Sequence, residues 1–155
     1  MYSRPSYEKK SLSLRSHLIG AGYYNALIAF NYAESKHDGM RKDNVTKEFD
    51  HQISIAQFAM TLPDLMYREE VIATIFLHDT PEDKGVAKNE IESLFMEREF
   101  AQRVATATMA VTKKFRGVVR NPDDVFYDTS HNPIASIVKG CDRIHNQQTM
   151  VGVFN

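Results

Sequence analysis

The sequence predicts an all-α protein, and three observations carry that expectation. Glycine and proline are scarce, with 7 and 5 among 155 residues. Apolar residues recur three and four apart rather than alternating. No stretch offers the β-branched, period-two pattern of a persuasive strand. The length suits one domain, residues 1–155, with room for a real core. An apolar fraction of 43% and a charged fraction of 25% are ordinary for a soluble globular domain.

The elements follow in order. A short helix is expected around Ser11 to Leu18, then a longer one from about Gly20 to Lys36 with Ala26, Ala29, Phe30 and Ala33 as its stripe. His37-Asp38-Gly39 ends that helix, and Met40 to Glu48 is a loop. The next helix spans about Asp50 to Leu62, capped by the Asp50 carboxylate, with Ile55, Phe58, Ala59 and Leu62 inward. Another runs from about Tyr67 to Thr80 and finishes at His78-Asp79, because Pro81 disfavours helical geometry before it. Asn89 to Phe95 and Arg98 to Val111 are further amphipathic helices. Lys113 to His131 reads as a long polar loop, and a last helix starts at about Pro133 with Ile134, Ile137, Val138 and Cys141 inward.

Composition excludes several function classes. A net charge of -1 supplies no field to gather nucleic acid or an anionic membrane. No apolar run approaches the roughly 20 residues that span a bilayer. The polar N-terminal sequence is neither a signal peptide nor an anchor, and one cysteine, Cys141, fits a reducing compartment. The expectation is a cytoplasmic protein.

Three helices bring polar residues onto faces that should be buried. His51 lies four residues before Ile55, His78 and Asp79 three and four after Ile75, and Asp142 four after Val138. Buried carboxylates need counter-charges, and one shared divalent cation would satisfy the whole set. Two imidazoles with two carboxylates suit manganese, iron, cobalt or zinc better than calcium. A lone histidine on an apolar stripe is usually a hydrogen-bonded core residue, so the argument rests on the coincidence of three helices. Glu82 and Asp83, just downstream, are candidates to orient water or to act as general acid and base. Arg41-Lys42 and the cluster Lys113, Lys114, Arg116 and Arg120 are candidate phosphate holders. Asp123, Asp124 and Asp128 read as solvated loop acids. Of the other histidines, His145 stands near Asp142 by helical spacing and could support the ligands, while His37 has no evident partners.

The order His51, His78-Asp79, Asp142 resembles the HD superfamily of metal phosphohydrolases. More narrowly, His78-Asp79-Thr80-Pro81-Glu82-Asp83 and Asp142-Arg143-Ile144-His145-Asn146 resemble the HDxxED and DRxHN motifs of the RelA/SpoT-type (p)ppGpp hydrolase domain. Residues 36–44, KHDGMRKDN, are similar to a shortened form of its H-x-G-x-x-R-K segment, and Val111-Thr112-Lys113 falls where the family has V-T-K. The matches span roughly residues 26–152. The resemblance implies a single HD-domain helical bundle and a manganese centre on His51, His78, Asp79 and Asp142. It implies Glu82 and Asp83 for the nucleophilic water and proton transfer, and Arg41 and Lys42 around the guanine side of a guanosine nucleotide. Asn146 and Thr149 fall at positions that contact the sugar and phosphate region. The implied reaction is removal of the 3′-pyrophosphate from (p)ppGpp, by a hydrolase without a synthetase domain. Homo-oligomers are compatible with this reading. Two departures stand out: Gln147-Gln148 where arginine is common, and Lys47-Glu48 where the family tends to have Pro-Tyr. Hydrolysis of a deoxynucleotide, NADPH or a cyclic nucleotide is the alternative, as is a nucleotide sensor without turnover.

Overall fold

The structure, a computed structural model, describes residues 4–39 and 48–154, with side chains for 6–39 and 48–147. The order is α1 (Arg4–Ala21), α2 (Tyr24–Lys36), α3 (Asp50–Met60), α4 (Arg68–Leu77), α5 (Thr80–Lys84), α6 (Lys88–Glu92) and α7 (Arg98–Val111). There follow β1 (Lys114–Phe115), β2 (Val118–Val119), α8 (Pro122–Ser130) and α9 (Pro133–Phe154). The all-α class expected from apolar spacing is the one observed.

Helix α4 organises the rest. Every residue from Val71 to Leu77 is buried, the polar Thr74 included, so this stretch is covered on all sides and lies inside the bundle. It packs against α2, α3, α7 and α9. Phe76 meets Phe30 of α2 edge-on at 5.2 Å between ring centroids, and Phe30 meets Phe49 at 5.4 Å. The N-terminus of α2 is satisfied from α4 too: the Glu69 carboxylate accepts from the backbone N–H groups of Asn25 and Ala26. A helix fixed this firmly delivers His78 and Asp79, at its C-terminal end, to a set position.

Several boundaries differ from expectation. The first helix is longer and runs to Ala21, and the next begins only at Tyr24. Gly22, at φ 77°, makes the break between them. Phe49, not Asp50, precedes the first turn of α3, and the Asp50 carboxylate takes a bond from Lys10 Nζ at 2.8 Å instead of capping. After a turn at His78-Asp79 a helix restarts at once, with Pro81 in the first turn of α5, so Glu82 and Asp83 are helical rather than in a turn. Helix α5 ends on Gly85 at φ 67°, where Gly85 and Val86 N–H groups reach back to Pro81 and Thr80. The helix expected over Asn89 to Phe95 is the shorter α6. The expected loop from Lys113 to His131 holds a hairpin and a helix. Arg116 and Gly117 both take positive φ, as a two-residue hairpin turn requires. The Asn121 side chain then accepts from Asp123 N–H and Pro122 opens α8. The loop expected over Met40 to Glu48 lies, at 40–47, outside the described residues.

Candidate metal centre

Each helix contributes for a local reason. His51 sits in the first turn of α3, one turn before buried Ile55. His78 and Asp79 stand where buried α4 stops. Asp142 lies on α9 one turn after Val138, whose side chain is buried. His51 Nε2 is 2.9 Å from Asp142 Oδ1. His78 Nε2 is 3.4 Å from Asp79 Oδ1 and 3.8 Å from Asp142 Oδ1. Ligand atoms of His51, His78 and Asp79 all fall within 4.8 Å of one another.

Surrounding groups fix the orientation of these side chains. The His78 Nδ1–H donates to Ile75 carbonyl oxygen at 2.6 Å, which leaves Nε2 facing the two carboxylates. Gln52 donates from Nε2 to Asp79 Oδ2 at 2.8 Å. His51 Nδ1 meets His145 Nδ1 at 2.9 Å.

The electrostatics of the cluster favour a cation among its donors. Burial opposes charge on His78, but Asp79 and Asp142 outweigh it and push the imidazole up to about 9. Burial likewise opposes ionisation of Asp142, yet bonds from His51 and His78 hold it well below the usual carboxylate range. Two inward carboxylates therefore draw a proton onto a buried histidine. A divalent cation can take that proton's place: His51, His78 and Asp79 already converge and Asp142 lies beside both imidazoles, so the residues fit such an ion.

Beside these donors lies a cleft of about 130 Å³ whose wall includes Glu82, Lys113 and Lys139. Glu82 Oε1 accepts from the Lys113 backbone N–H at 2.9 Å, which fixes the carboxylate there. Lys139 Nζ stands 4.0 Å from Asp142 Oδ2. Burial and neighbouring Lys113 lower the Lys139 ammonium pKa. Lys113 and Lys139 also line an adjoining groove of about 480 Å³, with Arg143, Val119, Val125 and Phe126.

The structure thus brings together His51, His78, Asp79 and Asp142, with Glu82 on the cleft wall. Asp83 does not line that cleft; it lies near His37 and Glu48. Burial, followed by the charge of Asp79, raises the pKa of its carboxyl. Arg41 and Lys42 lie outside the described residues. Asn146 is exposed on α9, and Thr149 falls in the part of α9 whose side chains are not described. The basic cluster divides. Lys113 faces the cleft, whereas Arg116 bonds Gly85 carbonyl oxygen. Arg120 bonds the last carbonyls of α7 and pairs with Asp128 at 2.6 Å. Asp128 is thus an ion-pair partner in a helix rather than a solvated loop acid.

Three contributors were not evident in the sequence. Gln52 is buried beside His51, and a polar residue one turn before Ala56 on a buried stripe was its signal. Lys139 lies one turn before Asp142. His37, expected to lack partners, has Glu48 at 2.8 Å.

No family model and no solved structure matches the chain. Curated proteins do. It is 29% identical over 126 residues to the GTP pyrophosphokinase rsh of Brucella ovis, covering 79% of this chain and 16% of that protein. It is similar, at the same identity and coverage, to a probable guanosine-3′,5′-bis(diphosphate) 3′-pyrophosphohydrolase of Synechocystis sp.. The guanosine-3′,5′-bis(diphosphate) 3′-pyrophosphohydrolase of Aquifex aeolicus is 27% identical over 127 residues, covering 79% of this chain and 17% of that protein. The chain therefore spans about one sixth of the length of the curated relatives it matches. Among the described residues no helix is long and apolar enough to cross a membrane.

Proposed function

We propose that the chain is a metal-dependent phosphohydrolase of the HD type that removes the 3′-pyrophosphate from (p)ppGpp. The products would be GDP or GTP and pyrophosphate. The carrying observation is the convergence of His51, His78 and Asp79, with Asp142 against both histidines, beside a cleft walled by Glu82, Lys113 and Lys139. Relatives bearing the pyrophosphohydrolase name favour this substrate over other nucleotides.

Manganese, the ion we favour, would neutralise phosphoryl charge and lower the pKa of a water molecule. The protein supplies the rest. Lys113 and Lys139 flank the cleft and would balance the phosphate charge that enters it. An arriving phosphate would also favour the ammonium form of Lys139. Glu82, held by the Lys113 backbone, would orient water and move a proton, and we assign Asp83 to the same task although it stands off the cleft wall. Arg41 and Lys42 would take the guanine side, and Asn146 and Thr149 the sugar and phosphate region. The groove continuing past Lys113 and Lys139 has room for the remainder of a nucleotide. We read the whole chain as one HD domain in the cytoplasm, acting on a guanosine nucleotide rather than on nucleic acid or membrane.

One observation favours a second reading. The groove wall at Val119, Val125 and Phe126 is apolar and would accept any base face, so another nucleotide is the alternative substrate. A panel separates the two: manganese-loaded protein is incubated with ppGpp, pppGpp, NADPH, a deoxynucleoside triphosphate and a cyclic nucleotide. Pyrophosphate released from ppGpp ahead of all others supports the proposal. Turnover of another nucleotide with ppGpp left intact would sink it, and binding without turnover would point to a sensor.

A further inference from the structure

A second cluster of ligand-type side chains lies away from the centre described above. His37 closes α2 and is buried, at 1% exposure. Its Nδ1 is 2.8 Å from Glu48 Oε1, and its ring stacks on Phe49. Its Nε2 is buried without a hydrogen-bond partner among the described residues. One ring nitrogen of His37, one oxygen of Glu48 and one oxygen of Asp83 all lie within 4.8 Å of one another. Three separate elements supply them: the end of α2, the turn before α3, and α5.

The charges do not balance within the cluster. Two carboxylates face one imidazole, and the cation among the described residues that pairs with them is Lys84, 3.4 Å from Glu48 Oε1. Asp83 has no ion pair among the described residues. Nδ1 is the ring nitrogen that faces Glu48, and with the ring proton on Nε2 its lone pair is in the form by which imidazole ligates a metal. A cation held by Nδ1 and the two carboxylates would replace the proton that Nδ1 otherwise donates to Glu48. The bland alternative is a His37–Glu48 ion pair that fastens the end of α2, with Asp83 simply solvated. That alternative does not explain the approach of a third ligand group.

We propose that His37, Glu48 and Asp83 form a second divalent-cation site, distinct from the centre at His51, His78, Asp79 and Asp142. One nitrogen and two carboxylates suit manganese or zinc, and three protein donors leave positions for water. The gradation from buried His37 through half-buried Glu48 to exposed Asp83 gives the ion access from solvent. Lys84 must swing away from Glu48 to admit it, which its long exposed stem allows. A consequence rests on the proposed role of Asp83: a cation on one carboxylate oxygen would hold that side chain ionised and fixed while the other oxygen stays free.

The metal-free full chain is titrated with manganese and, in parallel, with zinc, and bound metal per chain is counted. Wild type should take two equivalents, Glu48→Gln and Asp83→Asn one each, and Asp79→Ala one. Far-UV circular dichroism verifies folding, and exposed Asp83→Asn serves if Glu48→Gln does not fold. One equivalent that disappears in Asp79→Ala and persists in Glu48→Gln and Asp83→Asn overturns the second site and leaves the first intact. One equivalent that persists in Asp79→Ala and disappears in Glu48→Gln supports the second site and counts against the first.

Discussion

His51 and His145 meet through their Nδ1 atoms at 2.9 Å, so one imidazole must donate and the other accept. In the metal-free chain Nε2 of His51 donates to Asp142; with a cation between them, Nε2 would instead offer its lone pair while Nδ1–H donates to His145. On the proposed metal reading, His145 would be a positioning residue about one turn beyond Asp142 on α9. His145→Ala should weaken manganese affinity about 10- to 100-fold, with the fold retained. His145→Gln, which keeps an acceptor, should recover part of the loss. Calorimetric titration of the three proteins checks this, and an unchanged affinity in His145→Ala would refute the role.

Metal binding should be linked to protons. His78 in the metal-free chain is pushed from 6.5 up to about 9, so its share of stability is full below about pH 6.5 and is lost as pH rises through 9. Asp142 is lowered from 3.8, so its share is present above that pH and is lost as acid protonates it. From this pair, metal-free protein should melt highest between about pH 4 and 6.5. Saturating manganese takes the proton's place and should abolish the decline toward pH 9. Melting curves across pH, with and without metal, test the linkage; identical profiles would contradict it.

Ligand and proton-transfer roles predict different kinetic signatures. Asp79→Ala removes an oxygen donor and should abolish metal binding at this centre together with turnover. Glu82→Gln keeps the shape and its bond to the Lys113 backbone, so metal should remain while kcat falls by about 10²- to 10⁴-fold. Parallel metal counts and initial rates decide the matter, and normal hydrolysis by Asp79→Ala would show the centre to be misassigned.

Away from the centre, Asn121→Ala should cost about 1 kcal/mol, because α8 loses the side chain that accepts from Asp123 N–H. Urea unfolding at fixed pH measures this. A change near zero would mean that α8 does not depend on its cap.

The core helices were legible because burial imposes a period. Val71, Ile72, Ile75 and Phe76 mark α4, and Arg98 to Val111 was read to its observed ends. What escaped lay where short-range backbone chemistry outweighs apolar spacing. Helix α8 buries no residue, so only Asn121-Pro122 and the acidic first turn announced it. The Arg116-Gly117 hairpin is too short for an alternating pattern. At the centre, His51, His78, Asp79 and Asp142 were legible as inward polar residues on apolar helices. Gln52, Lys139 and the pairing of His37 with Glu48 depend on how helices distant in sequence dock, which local spacing does not encode. The sorting of Arg116 and Arg120 into backbone contacts has the same origin, since their acceptors belong to α5 and α7 chain ends.

The central claim is that these four side chains hold one divalent cation. Anomalous diffraction at the manganese edge, from crystals of the metal-loaded chain, tests it directly. The predicted result is a peak within bonding distance of nitrogen donors of His51 and His78 and of oxygens of Asp79 and Asp142. Fully loaded crystals with no peak among those four residues would contradict it.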